Sequence, residues 1–127
     1  MQKKQDDQIQ FEIGFFEKIL KEDPNFIEAL QALAGIYTSI GEYQKGLQLD
    51  KRLSSILPED ELAHYNLACS YSLTGILDKS LQELEISFKL GYQDWHHLKQ
   101  DKDFENLRKN DKTASVLKKL IATYIKN

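Results

Sequence analysis

The chain has very little of several residues that would open particular routes. Its 127 residues include one cysteine, Cys69, so no internal disulfide can form and a reducing setting, the cytoplasm, is expected. Only two prolines and six glycines argue against a long flexible linker. No apolar run approaches the roughly 18 to 20 residues that span a bilayer, so no membrane partner is expected. The polar start MQKKQDDQIQ has none of the pattern of a secretory signal. A formal net charge of -3 advertises no nucleic-acid surface. No glycine-rich phosphate loop occurs, and no cofactor is expected.

What is present is a period. With a shift of 34 residues the middle of the chain falls on itself. Pro24 meets Pro58, Leu33-Ala34 meets Leu67-Ala68, Tyr37 meets Tyr71, Gly41 meets Gly75, and Leu47 meets Leu81. That is the length of two short antiparallel helices with their turns, neither of which buries its apolar face alone. In the first unit Asn25 is expected to cap a helix with Glu28 three residues on. Leu30, Leu33, Ala34 and Tyr37 then recur on one helical face until Gly41 ends it. Tyr43, Leu47, Leu49, Leu53, Ile56 and Leu57 form the second helix, stopped by Pro58. Gly46 marks the closest approach of this pair, and Ser80 takes its place in the second unit. There Leu62, Tyr65, Leu67, Ala68 and Tyr71 line one helix, and Leu77, Leu81, Leu84, Ile86 and Phe88 the next. Tyr37 and Tyr71 are expected to be buried, each between the helices of its own pair.

Before Pro24, the residues Ile9, Ile13, Phe16, Ile19 and Leu20 form a stripe on a helix of about 14 residues, preceded by seven frayed ones. It reads as the second half of a unit whose first half is missing, which leaves an edge. Adjacent helical residues diverge by about 100°, so burying Phe16 puts Phe15 nearer that edge. Phe15 and Phe16 are therefore a candidate interface.

These residues resemble the tetratricopeptide repeat family in its bacterial form. The resemblance covers residues 8–92 and implies an all-α, right-handed superhelix of antiparallel helix pairs. It divides the single domain 1–127 into a half-repeat helix (8–24), two repeats (25–58 and 59–92) and a capping segment (93–127). His64 and Asp50 depart from the family pattern, standing where it has large apolar or aromatic residues. The segment from Gly91 resembles the closing piece that comes after such repeats, through Trp95, Leu98, Asp101, Asp103, Phe104, Leu107 and Arg108, with Lys102 where a proline is usual. A last helix from about Lys112 presents Val116, Leu117, Leu120, Ile121 and Tyr124 to cap the array, or alternatively to dock into a partner.

The resemblance implies a protein-binding scaffold or adaptor whose inner surface carries Glu28, Gln31, Gly35, Thr38 and Ser39, then Leu62, Tyr65, Cys69, Ser72 and Leu73. The basic clamp of the chaperone-binding members is absent, and the partner is an unidentified peptide or protein. A solvated face without a ligand is the plain alternative. A self-assembling subunit, a homodimer through Phe15 and Phe16, is the alternative function. An enzyme is not expected, because no nucleophile, base or ligand set stands at motif spacing. His96 and His97 are adjacent and diverge on a helix, His64 is remote in sequence, and Cys69 stands alone, so no metal is expected. Past residue 104, six basic side chains outnumber two acidic ones, which reads as a solvated face or as steering for an acidic protein.

Overall fold

The computed structural model describes residues 2–125, and among them it shows eight α-helices and one 3-10 turn. Met1, Lys126 and Asn127 lie outside the described residues, and with them the expected fraying of Met1 and the placement of the Lys126 charge. The chain divides into two compact units, residues 1–56 and 57–127.

The first unit holds α1 (Gln2–Glu22), α2 (Ile27–Ser39) and α3 (Tyr43–Ile56). The helix α2 pairs with α3 and also with α1. At the turn out of α2, Gly41 adopts φ +83°, a left-handed conformation that a Cβ makes costly. The Gly41 amide then donates to the Thr38 carbonyl and the Glu42 amide to that of Tyr37, which satisfies the last carbonyls of the helix. Gly46 is buried where α3 meets α2, and a Cβ there would lie 2.8 Å from Thr38 Oγ1. The expected close approach is therefore present at that position.

Three expectations for this unit are corrected. Helix α1 starts at Gln2 and runs for 21 residues, longer than the 14 expected. Its exposed first turns carry four-residue amide–carboxylate bonds, Gln2 to Asp6 and Gln8 to Glu12, the spacing that supports helix on a wet surface. Asn25 does not cap α2: Phe26 occupies the cap position with no side-chain acceptor, and the Asn25 amide donates to Asp23 Oδ1. Tyr37 is buried as expected, but it packs with Ile13 and Leu33, and its hydroxyl donates to Glu17 Oε2 of α1 at 2.8 Å. Its neighbour is thus the preceding helix as much as its own pair.

The second unit repeats the pair as α4 (Glu61–Leu73) and α5 (Leu77–Lys89). Asp60 caps α4 by accepting from the Leu62 and Ala63 amides. Gly75, with φ +81°, repeats the turn of Gly41, and its amide bonds the Ser72 carbonyl. Ser80 has no exposure and donates to the Ala68 carbonyl at 2.7 Å. The hydroxyl at the close contact thus satisfies itself on the neighbouring backbone. Lys79 lies 5.8 Å from the centre of the Tyr71 ring, as Lys45 lies 5.3 Å from that of Tyr37. This second repeated contact accompanies the expected ones.

The rest of the unit is α6 (Trp95–Gln100), the 3-10 turn (Lys102–Phe104), α7 (Glu105–Lys109) and α8 (Asp111–Tyr124). Phe104 and Leu107 have no exposure and join Tyr65, Ala68, Leu84 and Phe88 in one core. Arg108 donates to the carbonyls of Leu98 and Asp101, tying off the end of α6. Asn110 caps α8 through the amides of Lys112 and Thr113. Helix α8 packs on α5, with Leu117 buried and Leu120, Ile121 and Tyr124 against the same core. A detached last helix is not what the structure shows.

Candidate functional site

The inner-face residues fall into two groups. In the first unit Glu28, Gln31, Gly35 and Ser39 on α2 are exposed, and Thr38 is half-buried against Gly46. In the second unit Leu62 is 54% exposed and Leu73 half-buried, while Tyr65, Cys69 and Ser72 are buried. The second group is covered by the chain's own closing segment. Phe104 meets the Tyr65 ring edge-on at 5.4 Å, and Asn106 Nδ2 donates to the Ser72 carbonyl at 2.9 Å.

At the rim of this covered zone lies a shallow depression of about 430 Å3. Its floor is Leu62 with the Tyr65 and Tyr92 rings, which stack at 4.3 Å and 9°. Asn66 and Gln93 supply amides, His97 one wall, and Glu61 and Asp94 supply carboxylates. Asp94 also caps α6 by accepting from the His97 amide, so the short helix and its wall are placed by one side chain.

Beneath the depression sits a polar cluster centred on Asp101. One carboxylate oxygen accepts from the Tyr65 hydroxyl at 2.6 Å, with the Cys69 thiol at 3.9 Å and His97 Nε2 at 3.3 Å. The other accepts from the Asp103 amide and so caps the 3-10 turn. Burial, followed by the bond to Asp101, pushes the Tyr65 phenol far above its ordinary range. Burial, then the charge of Asp101, raises the carboxyl of Asp103. The ligand atoms of Cys69, Asp101 and Asp103 lie within 4.8 Å of one another, the one such group among the described residues. Sequence spacing missed this meeting because Cys69 and Asp101 are separated by 32 positions. Asp101 is held on both oxygens by the protein, and the arrangement fastens the closing segment to α4. The buried Cys69 thiol lies against that carboxylate.

The histidines are not gathered. His64 is buried, with Nδ1 2.6 Å from Glu83 Oε1 and Nε2 2.8 Å from the Pro58 carbonyl. Both ring nitrogens face oxygen acceptors, which makes this departure from the family pattern a structural polar link. His96 is exposed, and His97 lies beside the Tyr65 ring.

On α1, Phe16 is half-buried against the Ile13–Leu33–Tyr37 cluster and Phe15 is 53% exposed. Phe11, outside the stripe expected from the sequence, is 69% exposed and stacks on Phe15 with ring centres 6.5 Å apart. Its four-residue spacing from Phe15 was the available signal.

No family model matches the chain. Among curated proteins it is similar to a chloroplastic protein of Arabidopsis thaliana, 33% identical over 95 residues. That stretch is 70% of this chain and 28% of the relative, so the chain spans little more than a quarter of the length of the curated relative it matches. Among solved structures it resembles MamA from Desulfovibrio magneticus RS-1, in a form running from residue 41 to the end. The TM-score is 0.68 at 24% identity, over 91% of this chain and 66% of that one. An RS-1 MamA double mutant named ArsTM gives 0.63 at 18% identity, over 91% and 67%. At these identities the likeness shows the fold, an all-α arrangement of paired helices.

Proposed function

We propose that this all-α chain is a non-enzymatic interaction scaffold, and that the depression on the second unit binds an extended segment of another protein. The observation that carries the reading is Leu62, a large apolar side chain 54% exposed beside two stacked tyrosines. Exposed apolar surface with a polar rim is the usual anatomy of a protein contact. The carboxylates of Glu61 and Asp94 favour a cationic residue in the bound segment, and Asn66 and Gln93 suit its backbone amides. Glu28 and Gln31, exposed on α2, are proposed to contact protein in the first unit. The scaffold reading is supported by the commitment of Cys69, Asp101 and Asp103 to holding the fold. No described helix is long and apolar enough to cross a membrane, and a single cysteine, which can form no internal disulfide, fits work in the reducing cytoplasm.

Selection from a random peptide library against the intact chain tests this. Enriched peptides are expected to pair an apolar residue with lysine or arginine. They should bind the Leu62→Glu variant at least about tenfold more weakly while its helicity is unchanged. Peptides that bind both proteins equally, or a library that yields none, would remove the depression as a binding site.

A further inference from the structure

Helix α1 carries a feature that the peptide-binding reading does not use. Gly14 stands in the middle of a 21-residue helix, where glycine lowers helix stability. Gly46 is explained by a close contact, but a Cβ on Gly14 would meet nothing within 4 Å. Beside it runs an open groove of about 540 Å3, with Lys18, Leu20 and Lys21 along its sides. On the neighbouring strip of the same helix stand the stacked rings of Phe11 and Phe15, largely in solvent. One helix thus presents a ridge of two aromatic knobs and, next to it, a hole made by a missing side chain.

We infer that α1 is a homotypic interface, on which the α1 of a second copy lies antiparallel across Gly14. A surface with both knob and hole is self-complementary, as an isologous twofold contact requires. The charges select the direction. At 100° per residue, Lys4, Phe11, Phe15, Lys18 and Glu22 share the outward strip, with Asp7 and Gly14 along its flank. Antiparallel pairing with Phe11 against Phe15 of the other copy sets Lys4 opposite Glu22, and brings Lys21 within two residues, about 3 Å of helix rise, of the position that faces Asp7 on the same flank. Each pair is made twice by the symmetry. Parallel pairing would set Lys4 on Lys4 and Glu22 on Glu22, like charge on like. The twofold antiparallel arrangement is the one in which knobs, hole and charges agree. This surface belongs to the first unit and the depression around Leu62 to the second, and they share no residue, so either proposal can fail alone.

Sedimentation over a wide concentration range, with carbodiimide cross-linking and peptide mapping, decides it. A reversible dimer is expected, with a cross-link between Lys4 and Glu22. Within one helix those residues are about 27 Å apart, so the cross-link can form only between copies. Phe15→Glu should weaken the dimer by about a hundredfold or more. Gly14→Leu separates this account from a purely structural one, because it should raise the melting temperature of the dilute protein through better helix propensity yet weaken association by filling the groove. Asp7→Lys should weaken the dimer, and Asp7→Lys with Lys21→Asp should restore it. A strict monomer at every concentration would overturn the inference. So would a dimer indifferent to Phe15→Glu and Gly14→Leu, or one with no cross-link from Lys4 to Glu22.

Discussion

The two units start from the same 34-residue plan and finish it differently. In residues 57–127 the apolar side of the α4–α5 pair is closed by the chain's own continuation: Phe104, Leu107 and Leu117 complete a core of eleven buried residues. In residues 1–56 the α2–α3 pair receives one long helix, the corresponding cluster is Ile13, Leu33 and Tyr37, and Phe11 and Phe15 stay in water. A repeat unit cannot bury its face alone, so the segment adjoining it in the chain decides whether that face becomes core or contact surface. Here one unit has been finished as core. The other retains an aromatic surface.

The sharpest way to break the contrast is to open the closed unit. Phe104→Ala, at a site with no exposure, should cost about 3 to 5 kcal/mol in denaturant unfolding, whereas Phe11→Ala should change the stability of dilute protein by less than about 0.5 kcal/mol. Equal effects would erase the difference between the units. Next in size is Asp101→Ala, expected to cost about 2 to 3 kcal/mol, because it removes the charged acceptor of the buried Tyr65 hydroxyl and the cap of the 3-10 turn. Its Cys69 thiol should also react faster with thiol reagents. A variant as stable and as unreactive as the parent would show that the cluster does not fasten the segment.

A smaller test probes the close contact of the first unit. Gly46→Ala places a methyl group 2.8 Å from Thr38 Oγ1 and should cost about 1 kcal/mol despite the better helix propensity. Adding Thr38→Ala removes that oxygen and should recover most of that loss. A pH dependence confined to the alkaline side belongs to Tyr37, whose phenol burial and the Glu17 bond push up to about 12. The fold favours its neutral form. This stabilisation is complete below the ordinary value of 10.0 and is lost as pH rises through about 12. Tyr37→Phe should flatten that part of the alkaline stability curve, and a curve unchanged by the substitution would contradict the shift. Asp103 acts in the opposite pH range. Its carboxyl is raised, so lowering the pH from neutrality through its native titration favours the folded state.

Periodicity made the helix pairs, the glycine turns and the small residues at positions 46 and 80 legible before any coordinates. These are local geometric demands that recur each time the unit does. The closing segment was legible through Asp101, Phe104, Leu107 and Arg108, and the structure supplies their reasons: a cap, two core side chains and a guanidinium on two carbonyls. What escaped was long-range or non-periodic. The burial of Tyr65, Cys69 and Ser72 depends on a segment more than thirty residues downstream. Helix α1 begins early because polar side chains bond at four-residue spacing without leaving any apolar pattern. Asn25 looked like a cap from spacing alone, yet its amide is drawn back to Asp23.

Hydrogen exchange read by peptide at two protein concentrations tests the closed-and-open contrast most directly. Amides of α4 and α5 should be the most protected in the chain, and equally so at both concentrations. Those in the middle of α1 should exchange faster in dilute protein and slow markedly as concentration rises. Protection of α1 equal to that of α4 and independent of concentration, or α4 and α5 exchanging ahead of α1, would contradict it.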